Sequence, residues 1–250
     1  MDEPLDRVGW TAPIVRADLE ALGIAREARP ADRRWRVVEN SGRRTWLEAD
    51  GWLVANGRLN VKYARVRSAG FDVATLMVYP TASPDRLPIF ASEWVVVGAQ
   101  CHVVVLDVES AADFPDLKAD LKADFAELGS RWQAAFPPSP DAPAWFREIR
   151  REWALFSRCP ATELERVRSA YTEYWRIAFE RYYRPRWRDA LAGPDHPAVS
   201  AYKQHHCEHS PGRRLLSAKF GADFAESFLR DQHFGPPPPP PPAERQSPVT

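Results

Sequence analysis

The segment Thr75-Leu-Met-Val-Tyr79-Pro80, followed after a short loop by Leu87-Pro-Ile-Phe-Ala-Ser-Glu93-Trp-Val-Val-Val97, Gly98-Ala-Gln100 and His102-Val-Val-Val-Leu-Asp107, decides the fold. Its strands are apolar at both parities, so each must be covered on two faces. One carboxylate, Glu93, interrupts them at what reads as the mouth of the second strand. It is either solvated at a strand end or held in a pocket for a purpose, and the functional reading turns on which.

Upstream, strand signals repeat at short intervals. Trp35–Glu39 and Thr45–Ala49 flank Asn40-Ser41-Gly42, and Trp52–Val54 meets Leu59–Val66 across Asn56-Gly57, a strong hairpin signal. Short turns join antiparallel neighbours, so an antiparallel meander of about six or seven strands is predicted. A first helix is expected over residues 14–27.

Downstream the period changes. Ser110 with Asp113 resembles a capping box ahead of Phe114, Leu117, Leu121, Phe125 and Leu128, and Trp145 to Phe156 offers a further amphipathic turn or two. Thr162 with Glu165 suggests a second capping box, before the stripe Leu164, Val167, Tyr171, Tyr174, Ala178 and Tyr182. Helices are also predicted over 198–207 and 213–233, the latter broken at Gly221. Strands first and helices after, with strands apolar on both faces, give an α+β fold: a three-layer α/β/α sandwich around a central antiparallel sheet. Residues 1–234 read as one domain and the Pro-rich 235–250 as a disordered tail.

Composition narrows function. Lys plus Arg and Asp plus Glu both total 34, so the chain lacks the excess positive charge of a general nucleic-acid binder. Cys101, Cys159 and Cys207 form neither a disulfide framework nor a zinc ribbon, which fits a reducing cytoplasm. The acidic N-terminus lacks a signal peptide's pattern, and no apolar run is long enough to span a membrane. Gly-rich phosphate loops, HExxH, GxSxG and Walker patterns are absent.

Histidines cluster instead, three of the six lying in Tyr202-Lys-Gln-His205-His206-Cys207-Glu-His209-Ser210. As a metal site this is poor, since His205 and His209 alone share a helix face. An exposed polar helix end and a rim of proton donors over a pocket both remain open readings. The arginines Arg147, Arg150 and Arg151, or Arg213 and Arg214, would suit carboxylates or an acidic partner.

The blocks Leu87–Val95 and Val103–Asp107, then Tyr202-Lys-Gln and Arg213 to Leu229 in that order, resemble the ferredoxin-dependent bilin reductases, with the phycocyanobilin:ferredoxin oxidoreductases as the most similar branch. The resemblance spans about residues 30–234. It implies an open-chain tetrapyrrole such as biliverdin held between sheet and C-terminal helices, and single electrons from reduced ferredoxin. It further implies side-chain proton donors, no bound metal or organic cofactor, and phycocyanobilin as a candidate product. Glu93 matches the family's sheet carboxylate, normally an aspartate. Thr75 stands where that branch has a histidine, Lys62 near where it has a glutamate, and His209-Ser210 where many members have Asn-Asp. The expected site is therefore Glu93, His206 and His209 for proton handling, with Thr75, Lys62, Arg213 and Arg214 for substrate, in a monomeric cytoplasmic protein. The alternative is a tetrapyrrole-binding protein without reductase activity; the related red chlorophyll catabolite reductases offer another substrate.

Overall fold

The computed structural model describes residues 6–21, 34–40, 43–54, 57–139 and 142–235. Its centre is a seven-stranded sheet in strict sequence order: β1 (Arg34–Asn40), β2 (Arg43–Val54), β3 (Leu59–Ser68), β4 (Phe71–Pro80), β5 (Ile89–Val97), β6 (Gln100–Glu109) and β7 (Leu155–Pro160). Every neighbouring pair is antiparallel, as the short turns require. Helices cover both faces: α1 (Thr11–Ala21), α2 (Pro115–Ala135) and α4 (Leu164–Ala178) on one, and α3 (Ala144–Ile149), α6 (Pro197–His209), α7 (Gly212–Phe220) and α8 (Ala222–Ser227) on the other. A short α5 (Arg184–Arg186), a 3₁₀ turn (Ala161–Glu163) and two π-helical turns, Phe179–Tyr183 and Phe228–His233, are the remaining helical elements among the described residues. This is the expected three-layer α+β sandwich.

The stripe on α4 explains the first layer. Tyr171, Tyr174, Trp175 and Ala178 are fully buried against the sheet, where Phe90 meets Tyr171 and Trp175 edge-on at 5.6 and 5.1 Å between ring centroids. Buried tyrosines need partners for their hydroxyls. Tyr171 donates to the Thr11 carbonyl at 2.9 Å and Tyr174 to that of Trp153 at 2.6 Å, tying α4 to α1 and to the segment before β7. Gly129 permits the close approach of α2: a Cβ there would lie 2.6 Å from the Trp153 Cα.

Several local expectations change. β2 is continuous, Asp50 and Gly51 pairing with Tyr63 and Lys62, where two separate strands were expected. Trp145 to Phe156 is helical only as far as Ile149; Leu155 and Phe156 begin β7, because the open edge of β6 captures them. Neither capping box forms. Ser110 Oγ donates to the Ala112 carbonyl at 2.7 Å, and α2 starts after Phe114 with Pro115 in its first turn, where a missing N–H costs nothing. Thr162 lies inside a 3₁₀ turn, Ala161–Glu163, so the N-cap of α4 is Glu163. The first helix begins at Thr11, while its expected end at 22–27, Ser41-Gly42, Asn56 and the tail 236–250 lie outside the described residues.

The break at Gly221 is as expected. Its φ of +95° with ψ 153° is a backbone state that suits glycine, and it turns α7 into α8 over the second face of the sheet.

Candidate active site

Side chains alternate along β5 and β6, so Ala91, Glu93, Val105 and Asp107 leave the sheet on the face covered by α3, α6, α7 and α8. Between that face and the helices lies a narrow hollow of about 90 Å³, walled mainly by apolar side chains such as Met77, Trp145, Leu215 and Phe228. A larger contiguous hollow of about 410 Å³ shares Glu93, Val105 and Trp145 with it and carries the cleft toward Val97, His102 and Arg158. The combined size suits an organic ligand rather than an ion.

Glu93 is not at a strand mouth. It is the central residue of nine-residue β5, paired with Thr75 on β4 and Val105 on β6. Among the described residues no hydrogen bond or ion pair reaches its carboxyl, and the half-buried surface it retains borders the cavity. Burial alone raises its pKa from 4.5 to about 7. Each unit corresponds to about 1.4 kcal/mol in favour of the neutral acid, so near neutral pH Glu93 can both hold and release a proton.

β6 adds two acids to the same wall. Burial pushes Asp107 up to about 7, against the opposing pull of the Arg151 backbone N–H, which donates to Oδ2 at 3.2 Å. Glu109 is raised well above the ordinary range by burial and then by Asp107, although its Oε1 accepts the Tyr202 hydroxyl at 2.6 Å. Facing them, His206 is held down at about 3, by burial and then by His205, His233 and His209, so its imidazole is neutral at pH 7. Its ring packs 4.3 Å from that of Tyr202, centroid to centroid, and Nε2 has no partner among the described residues. His233, from the last π turn, is likewise held near 3, by burial and then by the Lys62 ammonium.

Of the residues expected from sequence, Glu93, Thr75 and His206 line the cavity together, with Ser210. Lys62 is buried on β3 behind His233, its chain lying along Gly51. His209 is exposed, its ring stacked on Trp145 at 5.9 Å and Nδ1 2.9 Å from the His205 carbonyl. Arg213 pairs with Glu226 and donates to the Cys207 carbonyl at 2.8 Å, away from the cavity lining. Arg214 is exposed on α7. Asp107, Glu109, Tyr202 and His233 were not picked out as site residues. A parity count would have found the acids, since positions 107 and 109 share the face of the residue opposite Glu93. Among the described residues no group of three His, Cys, Asp or Glu side chains could hold a metal ion, and no helix is long and apolar enough to cross a membrane.

A profile described as ferredoxin-dependent bilin reductase matches residues 16–234, which includes every element that lines the cavity. The chain belongs to that family. Among curated bilin reductases, the phycoerythrobilin:ferredoxin oxidoreductases of Prochlorococcus marinus strains NATL1A and NATL2A are each 24% identical over 178 residues, covering 64% of this chain and 64% of theirs. The chain thus spans less than two thirds of the length of those relatives. The crystal structure of tomato phytochromobilin synthase in complex with biliverdin has the same fold, with a TM-score of 0.70, 16% identity, and coverage of 90% of this chain and 82% of that one.

Proposed function

We propose that this chain reduces an open-chain tetrapyrrole of the biliverdin type, taking electrons one at a time from reduced ferredoxin and protons from the cavity wall. The observation that carries the reading is Glu93: a carboxyl without a hydrogen bond or ion pair among the described residues, with a pKa of about 7, mid-strand in an apolar cleft between sheet and C-terminal helices. A long flat conjugated ligand gains from burial against Met77, Trp145 and Phe228, while its pyrrole nitrogens need polar partners. Each arriving electron raises the basicity of the ligand, and a neutral acid in contact with it then delivers a proton without charge having to cross the protein.

In this reading Glu93 is the principal donor, and neutral His206 accepts or donates a hydrogen bond through the unpartnered Nε2. Thr75, beside Glu93 on β4, orients the ligand. Lys62 acts through His233, holding that imidazole neutral. We assign Arg213 and Arg214 to the propionates at the α7 end, and His209 to a relay at the rim. The product we favour is phycocyanobilin, and we take residues 1–234 to act as one monomeric domain in the cytoplasm, without a bound cofactor.

The test is to mix purified protein with biliverdin, then add reduced ferredoxin anaerobically while following absorption. A spectral shift on mixing, followed by turnover that is lost in Glu93→Gln, is the expected result. No shift would sink the reading, and a shift without turnover would leave a tetrapyrrole-binding protein.

A further inference from the structure

Glu93 is one acid of this cavity, and β6 presents a second centre. Asp107 and Glu109 are two residues apart on one strand, so both side chains leave the sheet on the Glu93 face, and both line the hollow. Across on β5 they are matched by Ala91 and Ile89, which bring no charge. The Tyr202 hydroxyl fixes Glu109 at 2.6 Å. Asp107 Oδ2 accepts from the Arg151 backbone, but Oδ1 is buried with no partner among the described residues. Of the other buried atoms without a partner among the described residues, the one whose residue also lines this hollow is His206 Nε2, on helix α6. Buried polar atoms are satisfied in native proteins far more often than not, so unpartnered atoms on opposite walls of one cavity point to a ligand that completes them.

We propose that Asp107 and Glu109 are a second proton source for the bound bilin, with Asp107 presenting a proton to the tetrapyrrole and Glu109, clamped by Tyr202, restoring it. The inference rests on the reductase reading. Reducing one carbon–carbon double bond replaces its π bond with two C–H bonds, and consumes two electrons and two protons. Two reduced ferredoxins supply the electrons and are left oxidised. Glu93 supplies one proton and the β6 pair the other, both sites being left as carboxylates that regain protons from solvent.

Two buried carboxyls this close do not both ionise readily, which keeps a proton on the pair. The groups facing them are Arg150 and Arg151 from the segment after α3, which favour the carboxylate of Asp107, Tyr202 and His206 from α6, Tyr79 from β4, Tyr174 from the opposite layer and Glu93 on β5. Burial outweighs the two arginines, and Asp107 stays near 7.

The experiment has two readouts on the full chain. Infrared spectra without bilin at pH 7 are expected to show carboxylic-acid carbonyl bands, one set removed by Glu93→Gln and a separate set by Asp107→Asn with Glu109→Gln. If the double variant leaves the wild-type bands intact, the proposal is overturned. In single turnovers with biliverdin and stepwise reduced ferredoxin, Asp107→Asn is expected to bind biliverdin with the normal spectral shift. It then accumulates a one-electron-reduced bilin radical, seen by electron paramagnetic resonance, which decays about a hundredfold more slowly than in wild type. Asp107→Glu should restore the decay. Normal decay with a normal pH profile in Asp107→Asn overturns the second source alone, whereas a wild-type chain that fails to bind biliverdin overturns the reductase reading and this proposal together.

Discussion

Glu93→Gln makes a measurement possible without any ligand. Burial raises the Glu93 pKa from 4.5 to about 7, a shift worth about 3 kcal/mol at about 1.4 kcal/mol per unit, or about 2 kcal/mol once the water reached by its half-buried surface is allowed for. The sign follows from proton binding. Below about pH 4.5 the folded and unfolded chains both carry the proton, and Glu93 has no effect on the balance. As pH rises from about 4.5 toward about 7, the unfolded chain releases the proton while the folded chain retains it, so stability falls, and above about pH 7 the full penalty applies. Glutamine never ionises and escapes it. Urea unfolding of both proteins at about pH 5 and about pH 8 should therefore show the variant gaining about 2 kcal/mol on wild type at the higher pH, with most of the contributions of Asp107 and Glu109 cancelling in the difference. Parallel pH dependences for the two proteins would refute the claim that Glu93 is desolvated, and with it the argument that it holds a proton at neutral pH.

Gly129→Ala drives a Cβ to within 2.6 Å of the Trp153 backbone and should cost about 1–3 kcal/mol in urea unfolding; no loss would mean that α2 is free to retreat from the segment before β7. Gly221→Ala, at φ +95°, should cost about 1–3 kcal/mol and weaken biliverdin binding, read by titration of the absorption shift, because this corner sets the course from α7 to the π turn Phe228–His233, both of which line the cavity. Lys203→Met leaves Asp195 buried and uncompensated where a 2.7 Å ion pair now stands, with an expected loss of about 3–5 kcal/mol; adding Asp195→Leu should recover much of it. Bilin turnover should decline as pH rises above about 7 and Glu93 loses its proton, and a rate that climbs steadily through pH 8 would exclude it as the acid.

The sheet was legible because its signals are local: Asn56-Gly57 and Gly98-Ala99 sit between apolar runs, and a short turn admits only an antiparallel neighbour. β7 was not, since Leu155–Pro160 becomes a strand by pairing with β6, far back in the chain, and no local period announces such a partner. The capping boxes failed for a related reason: Pro115 and the 3₁₀ turn at Ala161–Glu163 set the helix starts before the Ser and Thr side chains could. At the site, the resemblance and one odd carboxylate in an apolar strand point to Glu93 and Thr75, and the histidine cluster points to His206. Asp107 was quoted as the end of a strand and Glu109 passed over, because what marks them is the cavity, which forms only when α6 brings Tyr202 over β6. Arg213 read as a partner for carboxylates, and in the structure the carboxylate it meets is that of Glu226 on the neighbouring helix.

The order of the strands bears on how the cavity opens. From β1 to β6 each strand bonds to the next in sequence through a short connection, so that part of the sheet assembles from contacts of small loop-closure cost. The roof over Glu93 comes from α3 and, at the far end of the described chain, from α6, α7 and the π turn Phe228–His233, which is reached through the glycine corner and the short α8. Were the roof helices to lift at the cost of contacts such as Tyr202–Glu109 while the strands stayed paired, a broad flat molecule would have a way in that leaves the sheet whole. Amide exchange should reveal such lifting, with roof amides exchanging well before those of β3 to β6, and with a bound tetrapyrrole slowing the roof selectively.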